Sequence, residues 1–293
     1  MKENEAKRIR SGGIDLHIHT TVSDGTDTPE EAVEKVRGAG LSLFSVTDHD
    51  AIKAAKTVPA LLGAGDPRFV SGVEFSCRDG KGKYHVLGYG FNPASEALNR
   101  VVSHGKMLRS GKLLDRVAIL REKYGIEFPE DEIFRLLSEC NPGKPHLANL
   151  MIRYGYVSSI GEAMDKYLNL LPSAPEYVSP EEAIDGILRG GGIPVLAHPL
   201  FGSGRERLDE SEMIRRLDRL TGYGLLGVEA FYSGFSPEQI KATLELAGKY
   251  DLLVTAGSDY HGTNKTVKLG ETGLPAPSEY PAAFLRFLDR LGV

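Results

Sequence analysis

"TPEEAVEKVRGAGLSLFSVTDHD", residues 28–50, contains a helix start, a helix stop and a strand in one unbroken run. Thr28 offers a hydroxyl N-cap, Pro29 suits the first helical position, and Glu31 supplies the acid of a capping box. "AVEKVRGAG" then stops on glycine, and "LSLFSVTDHD" follows as an apolar β-type segment. The same order of signals returns further on, where "SPEE" (179–182) opens "AIDGILRGGG" and leads into "IPVLAHP". A third helix start of this kind is "SPEQ" at 236–239. Other strand candidates are "FVSGVEFSC" (69–77), "YHVLGYGF" (84–91), "LLGVEAF" (225–231) and "LLVTAGSD" (252–259). Strands alternating with helices predict βαβ units and a parallel sheet, with a barrel as one way of closing it.

Residues 97–178 break that rhythm. "LNRVVSHGKMLRSGKLLDRVAILREKYG", "PEDEIFRLLSEC", "KPHLANLMIRYG" and "SIGEAMDKYL" read as helices with no strand between them. The expected organisation is therefore an α/β domain made of 14–96 and 179–293, with a helical subdomain at 97–178 inserted as a cap. Insertions of this kind sit on loops and cover active sites.

Composition narrows the function classes. The chain has 293 residues, 41% of them hydrophobic and 26% charged, as expected of a globular protein that buries a sizeable core. The net charge of −5 argues against a broad nucleic-acid surface, although metal ions could reverse the sign locally. No apolar run is long enough for a membrane span. "MKENEAKRIRSGG" at the start lacks the apolar segment of a secretory signal. Two cysteines, Cys77 and Cys140, imply no disulfide framework, so the expected compartment is cytoplasmic.

"IDLHIHTTVSDGT" (14–26) carries the first chemical signal. Ile14, Leu16 and Ile18 alternate with Asp15, His17 and His19, which predicts a half-buried strand with the three polar groups on one face. Two adjacent imidazoles repel when protonated and satisfy each other poorly when neutral; a metal ion between them removes the conflict. The same residue types recur at other strand ends: Asp48 and His49, Glu74, His85, His198, then Asp259 and His261. Six of the eight histidines fall in this set, with His104 and His146 elsewhere. Asp24 adds a carboxylate from the loop after the first strand. Nitrogen and oxygen donors without thiolate suit zinc, manganese or iron. Nine donors, His17, His19, Asp24, His49, Glu74, His85, His198, Asp259 and His261, suffice for two to three divalent ions. Asp15 and Asp48 are placed to orient imidazoles, or simply to close hydrogen bonds at the strand ends.

Together "DLHIHTTVSDG", "VTDHD", "GVEFS", "HVLGY", "AHP" and "GSDYHG" resemble the PHP (polymerase and histidinol phosphatase) family of metal-dependent phosphoesterases, over about residues 14–92 and 180–262. Within it, the insertion with "KPHLANLMIRYG" is similar to the nucleoside 3',5'-bisphosphate phosphatase and RNase AM branch, with Lys144 where that branch carries arginine. "EAFYSGFSPEQ" also lacks a histidine that relatives often carry near Ser233. The resemblance implies a distorted (β/α)7 barrel and a trinuclear site. His17, His19, Glu74 and Asp259 would hold one ion, with Glu74 bridging to a second on His85 and His198. Asp24, His49 and His261 would hold the third. Three divalent ions against three carboxylates would make an anion trap within an acidic protein. It further implies hydrolysis of a phosphomonoester by attack of metal-bound hydroxide, with Glu74, Asp24 and His261 as the catalytic ligands.

The expected substrate is a small phosphorylated molecule, either a 3',5'-nucleoside bisphosphate or a short oligonucleotide processed as by an exonuclease. Arg109, Lys112, Lys144 and His146 are the candidate phosphate contacts from the cap. Arg109 and Lys112 stand three apart on one helix face, and His146 could instead cap or pack its own helix. Three other functions share parts of the pattern. A histidinol-phosphate phosphatase would use the same metals under a different cap. An amidohydrolase-type deacetylase or deaminase would have a bridging lysine where Glu74 stands. A metal-stabilised binding module would have shed ligands that are all retained here.

Overall fold

The structure is a computed structural model that describes residues 8–9, 11–80, 82–139, 141–172, 177–201 and 207–293. Cys140 and most of the charged start lie outside these residues. Seven strands stand side by side in chain order: β1 (Gly13–Ile18), β2 (Leu41–Val46), β3 (Arg68–Asp79), β4 (Gly82–Tyr89), β5 (Ile193–Leu196), β6 (Gly227–Tyr232) and β7 (Leu253–Gly257). Among the described residues there are ten α-helices: α1 (Pro29–Gly38), α2 (Lys53–Thr57), α3 (Glu96–Tyr124), α4 (Glu130–Glu139), α5 (Lys144–Arg153), α6 (Ile160–Ala163), α7 (Pro180–Arg189), α8 (Glu210–Gly222), α9 (Pro237–Lys249) and α10 (Ala282–Arg290).

The three predicted helix starts are present with their caps. Thr28 Oγ1 accepts from Glu31 N at 3.2 Å while Glu31 Oε2 accepts from Thr28 N at 2.8 Å. Ser179 caps α7 through Glu182 N at 3.0 Å, and Ser236 with Gln239 forms a second capping box on α9. Each such cap is worth about 1 kcal/mol, so the cap sequences fix where these helices begin.

The sheet is mostly parallel, and β4 is the correction to the parallel expectation. It pairs antiparallel with both β3 and β5, whereas β1–β2, β2–β3, β5–β6 and β6–β7 are parallel. The reason is connection length. Asp79 and Gly82 face each other across a hairpin, and a parallel return needs a crossover of a dozen or more residues. At the two edges β1 and β7 come together. Ile18 bridges Tyr260 in parallel, His19 N donates to Tyr260 O at 2.8 Å, and Tyr260 N donates to His17 O at 3.2 Å.

Four apolar clusters form among the described residues, two of them large. The largest joins the sheet to helices packed on it through Leu16, Phe75, Tyr89, Val195, Ile187 and Phe287. The second belongs to the helical insertion and includes Leu113, Leu120, Leu147, Met151 and Leu168. Each fully buried aliphatic side chain contributes about 1.5–3 kcal/mol, so the insertion has a folding drive of its own. The 29-residue α3 enters both cores, through Leu98 and Val101 near its start and Leu113 and Leu120 further on.

Strand β1 departs from the half-buried expectation. Asp15, Leu16, His17 and Ile18 are all buried, as is His19 just beyond it. Its apolar face meets the cores, and its polar face meets other polar side chains instead of water.

Candidate metal centre and its cavity

All nine predicted ligands meet at one end of the sheet, where the segments after β1, β2, β5 and β7 converge with residues from β3 and β4. His19, Asp24, His49 and His261 form one group, His17, His19 and Asp259 a second, and His49, Glu74 and His85 a third, with ligand atoms within 4.8 Å of one another in each. His198 joins through His85, with Nε2 of the one 3.2 Å from Nδ1 of the other.

Glu74 stands at the centre. Its Oε2 lies 3.3 Å from His17 Nε2, 3.1 Å from His19 Nε2 and 3.1 Å from His49 Nδ1. Its Oε1 lies 2.9 Å from His85 Nδ1 and 3.4 Å from His198 Nε2. Yet Glu74 Oε1 is a buried oxygen that accepts no hydrogen bond. Leaving such an oxygen without a partner is costly unless a cation lies beside it. His17 Nε2 and His19 Nε2 face each other at 3.1 Å. Two neutral imidazoles sharing that gap can use at most one hydrogen, whereas an ion accepts lone pairs from both. The unpartnered oxygen and the facing nitrogens fit a divalent metal.

The electrostatics agree at His19 and His49, whereas at His17 and His261 burial is outweighed by the surrounding carboxylates, which raise the imidazoles. Burial lowers His19 to about 4, with His261 adding to the effect. Burial likewise takes His49 well below the usual imidazole value, and neutral imidazole is the form that ligates. Burial alone would raise Glu74 and Asp24. The imidazoles of His85 and His49 for Glu74, and of His49 and His261 for Asp24, nevertheless hold both well below the carboxylate range.

Supporting groups surround the ligands. Asp48 accepts from Thr20 N at 2.8 Å, Thr20 Oγ1 at 2.7 Å and Ser23 Oγ at 2.7 Å, and Ser23 Oγ is 3.4 Å from His19 Nδ1. Asp48 therefore reaches an imidazole only through Ser23. Asp15 has backbone and hydroxyl partners: Ser258 N at 3.0 Å, Ser258 Oγ at 2.6 Å, Gly270 N at 2.8 Å and His17 N at 3.2 Å. It fixes the chain just before Asp259. Among the described residues, three of the four non-glycine residues at positive φ lie here: Asp50 at 49°, His198 at 28° and Asp259 at 57°. Backbone in this region is costly and is held by its surroundings.

Several contributors were not visible in the sequence. Glu229 on β6 is buried beside His17 and His198. Tyr232 donates to Asp259 Oδ2 at 3.0 Å, and Lys265 pairs with the same oxygen, which leaves Asp259 Oδ1 facing the histidines. Asn141 ties the helical insertion to the site by donating from Nδ2 to His49 O at 2.6 Å and from its backbone N to Val22 O at 2.8 Å. Glu229 had a signal, a lone carboxylate in the otherwise apolar "LLGVEAF". The others are long-range pairings with none.

A cavity of about 550 Å³ opens from this cluster. Its other walls carry Lys83 from β4, Arg109, Lys112 and Arg116 from α3, Lys144 from α5, and Tyr177. Lys112 Nζ lies 3.0 Å from the centre of the Tyr177 ring. Among the described residues, Lys83, Lys112, Arg116 and Lys144 have no carboxylate at ion-pair distance. Arg109 differs. It pairs with Asp50, donates from Nη2 to Ser76 Oγ at 2.6 Å, and sits at the end nearer the proposed ligands. The close packing of α3 on Asp50 depends on Gly105, where a Cβ would meet Asp50 Cβ at 2.9 Å. His146 does not line the cavity; its Nδ1 accepts from Gly143 N at 3.1 Å, at the start of α5. The cavity thus joins three of the four predicted cap contacts and leaves His146 out.

Known proteins bear on this arrangement. The PHP domain profile matches residues 15–172, more than half of the chain. A 3',5'-nucleoside bisphosphate phosphatase of Chromobacterium violaceum is 30% identical over 85% of this chain and 87% of its own length. A 5'-3' exoribonuclease of Haemophilus influenzae is 27% identical over 88% of this chain and 93% of its own. Among solved structures, a Bifidobacterium adolescentis protein provisionally described as a metal-dependent phosphoesterase superposes with a TM-score of 0.79 at 28% identity, covering 96% of both chains. With the profile spanning most of the helical insertion as well as the first four strands, the chain belongs to the PHP domain family.

Proposed function

We propose that the chain removes a phosphate from a small nucleotide that carries a second phosphate, with a 3',5'-nucleoside bisphosphate as the preferred substrate. Its family makes it a metal-dependent phosphoesterase. The observation that carries the substrate is the distribution of charge in one cavity, with the nine-ligand cluster at one end and Lys83, Lys112, Arg116 and Lys144 at the other.

In this reading the site holds two to three divalent ions of manganese, zinc or iron. His17, His19, Glu74 and Asp259 would hold the first, His85 and His198 the second with Glu74 shared, and Asp24, His49 and His261 the third. The division of Glu74's oxygens between two sets of imidazoles supports the sharing. Such ions supply positive charge to the transferring phosphoryl group and make water more acidic. The chain's own side chains do the rest. Glu74, Asp24 and His261 fix the positions where that charge sits. Arg109, oriented by Asp50 and Ser76, meets the reacting phosphate. Lys112 and Lys144 hold the second phosphate together with Lys83 and Arg116, and charge-assisted contacts of this kind contribute about 1.5–3 kcal/mol each. The contact between β1 and β7 supports closure of the sheet as a distorted barrel, and the separate core supports residues 97–178 as its cap.

The relatives named exoribonucleases favour a second reading, a 5'-phosphorylated short oligonucleotide that enters past the same cations. Assays of manganese-loaded protein on a 3',5'-bisphosphate, an aryl phosphate, a 5'-phosphorylated oligonucleotide and histidinol phosphate separate these readings. The bisphosphate should give the highest kcat/KM. A preference for the oligonucleotide would transfer the assignment to the second reading, and a preference for histidinol phosphate would end both.

A further inference from the structure

Glu229 lies on β6, fully buried, and both of its oxygens are engaged. Oε1 is 2.8 Å from His17 Nδ1, and Oε2 accepts from the backbone N of His198 at 2.8 Å. These two histidines fall in different parts of the cluster, one on β1 and one after β5. His198 sits at φ 28°, where a non-glycine backbone needs outside support. The neighbouring strand leaves room for this arrangement. At Gly257 a Cβ would lie 2.2 Å from His17 Cβ and 2.6 Å from Glu229 Oε1.

We infer that Glu229 is a positioning residue that sets the geometry of two metal ligands at once: it holds the proton of His17 on Nδ1, so that Nε2 offers its lone pair to the ion, and it fixes the backbone that aims His198. A ligating imidazole needs one nitrogen free, and a partner that accepts from the other nitrogen decides which one is free. Only a carboxylate can serve here. A glutamine would present one oxygen and one NH2. With its NH2 toward His17 it would favour the tautomer protonated on Nε2, blocking ligation. With its NH2 toward His198 it would set two donors against each other.

The inference rests on the metal reading, and the test separates the two. In zinc-loaded protein, long-range 15N–1H spectra should show His17 protonated on Nδ1 and bound through Nε2. Ligation through Nδ1, or loss of that proton, overturns the role of Glu229 whatever any variant does. Titration with Mn2+ should then show Glu229→Gln binding about 10- to 100-fold more weakly than wild type. Tyr89→Phe perturbs the same core by removing a 3.0 Å bond to Leu16 O, and it should stay within about threefold of wild type. Glu229→Gln with wild-type affinity, or Tyr89→Phe with an equal loss, would reduce Glu229 to an ordinary core residue. Wild-type protein that takes up neither metal overturns the metal reading along with it.

Discussion

The two ends of the cavity are built differently. At the ligand end the carboxylates are shared: Glu74 between five imidazoles, Asp48 among Thr20 and Ser23, and Asp259 between Tyr232 and Lys265. At the cationic end, Lys83 and Lys112 approach the Tyr177 ring and Lys144 donates to Asn169 Oδ1 at 2.8 Å, with Lys112 buried and Lys83 and Lys144 partly open to water. The first arrangement is rigid and suits one chemical step, because pre-positioned charge need not reorganise during reaction. The second keeps long side chains with spare hydrogen-bonding capacity and suits the choice of partner for that step. On the proposed reading, chemistry would fall to the sheet and its loops and selection mainly to the helical insertion, with Lys83 on β4 as the sheet's contribution to the cationic wall.

The largest expected effect is at the ligand end. Glu74→Gln keeps the shape of the side chain but removes the charge that two sets of imidazoles share. Turnover should fall by at least about a hundredfold on every phosphoester, with far-ultraviolet circular dichroism and the unfolding cooperativity retained. Turnover near wild type would take Glu74 out of the site. A loss confined to bisphosphates would break the division of labour between the two ends.

Lys144→Ala probes the other end. It should reduce kcat/KM toward a bisphosphate by about 10- to 150-fold and leave an aryl phosphate almost unaffected, because only the bisphosphate has a group to place there. Arg109 sharpens the comparison. It lies on α3 with Lys112, yet its guanidinium is tied to Asp50 and Ser76 at the ligand end. Arg109→Ala should therefore depress both substrates together. If the aryl phosphate is spared by that substitution too, Arg109 belongs with the cations of the far wall.

Legibility in the sequence followed the same division. The gathering of the nine donors is legible because most of them sit at or just past the end of an apolar strand and β-alternation puts His17 and His19 on a common face, although Glu74 and His85 lie within β3 and β4 and Asp24 in the loop after β1. The caps at Thr28, Ser179 and Ser236 are local chemistry and were equally plain. The antiparallel β4 was obscured because the residues of a hairpin partner look like any other strand. The burial of both faces of β1 from Ile14 to Ile18 was hidden for a related reason, since polar residues at period two suggest solvent when they face a polar interior. In the insertion, periodicity announced helices but could not tell Arg109, committed to Asp50, from Lys112 or Arg116. Nor could it tell that His146 caps its own helix. The Arg109–Asp50 pairing joins residues 59 positions apart and leaves no pattern along the chain, whereas the His146 cap is local and was one of two readings open from the sequence.

The smallest expected effect is a pH dependence carried by the cationic wall. Burial, followed by the neighbouring Arg109, pushes the Lys112 ammonium down to about 7, and burial, followed by Arg116, pushes Lys144 down to about 8. A lysine with a lowered pKa is charged below that value and neutral above it, so its attraction for an anion is present at low pH and fades as pH rises. A phosphate monoester has its second pKa near 6 and remains a dianion over this range. Between pH 7 and 8 the charged fraction of Lys112 should drop about fivefold and that of Lys144 about twofold, so kcat/KM for a bisphosphate should fall roughly tenfold. Dividing by the value for an aryl phosphate removes titration at the ligand end, which both substrates share. In Lys144→Ala the decline of that ratio should shrink to about fivefold, the part belonging to Lys112. A ratio that stays flat from pH 7 to 8 would mean that neither lysine holds the second phosphate, and that the two ends of the cavity do not divide the work in this way.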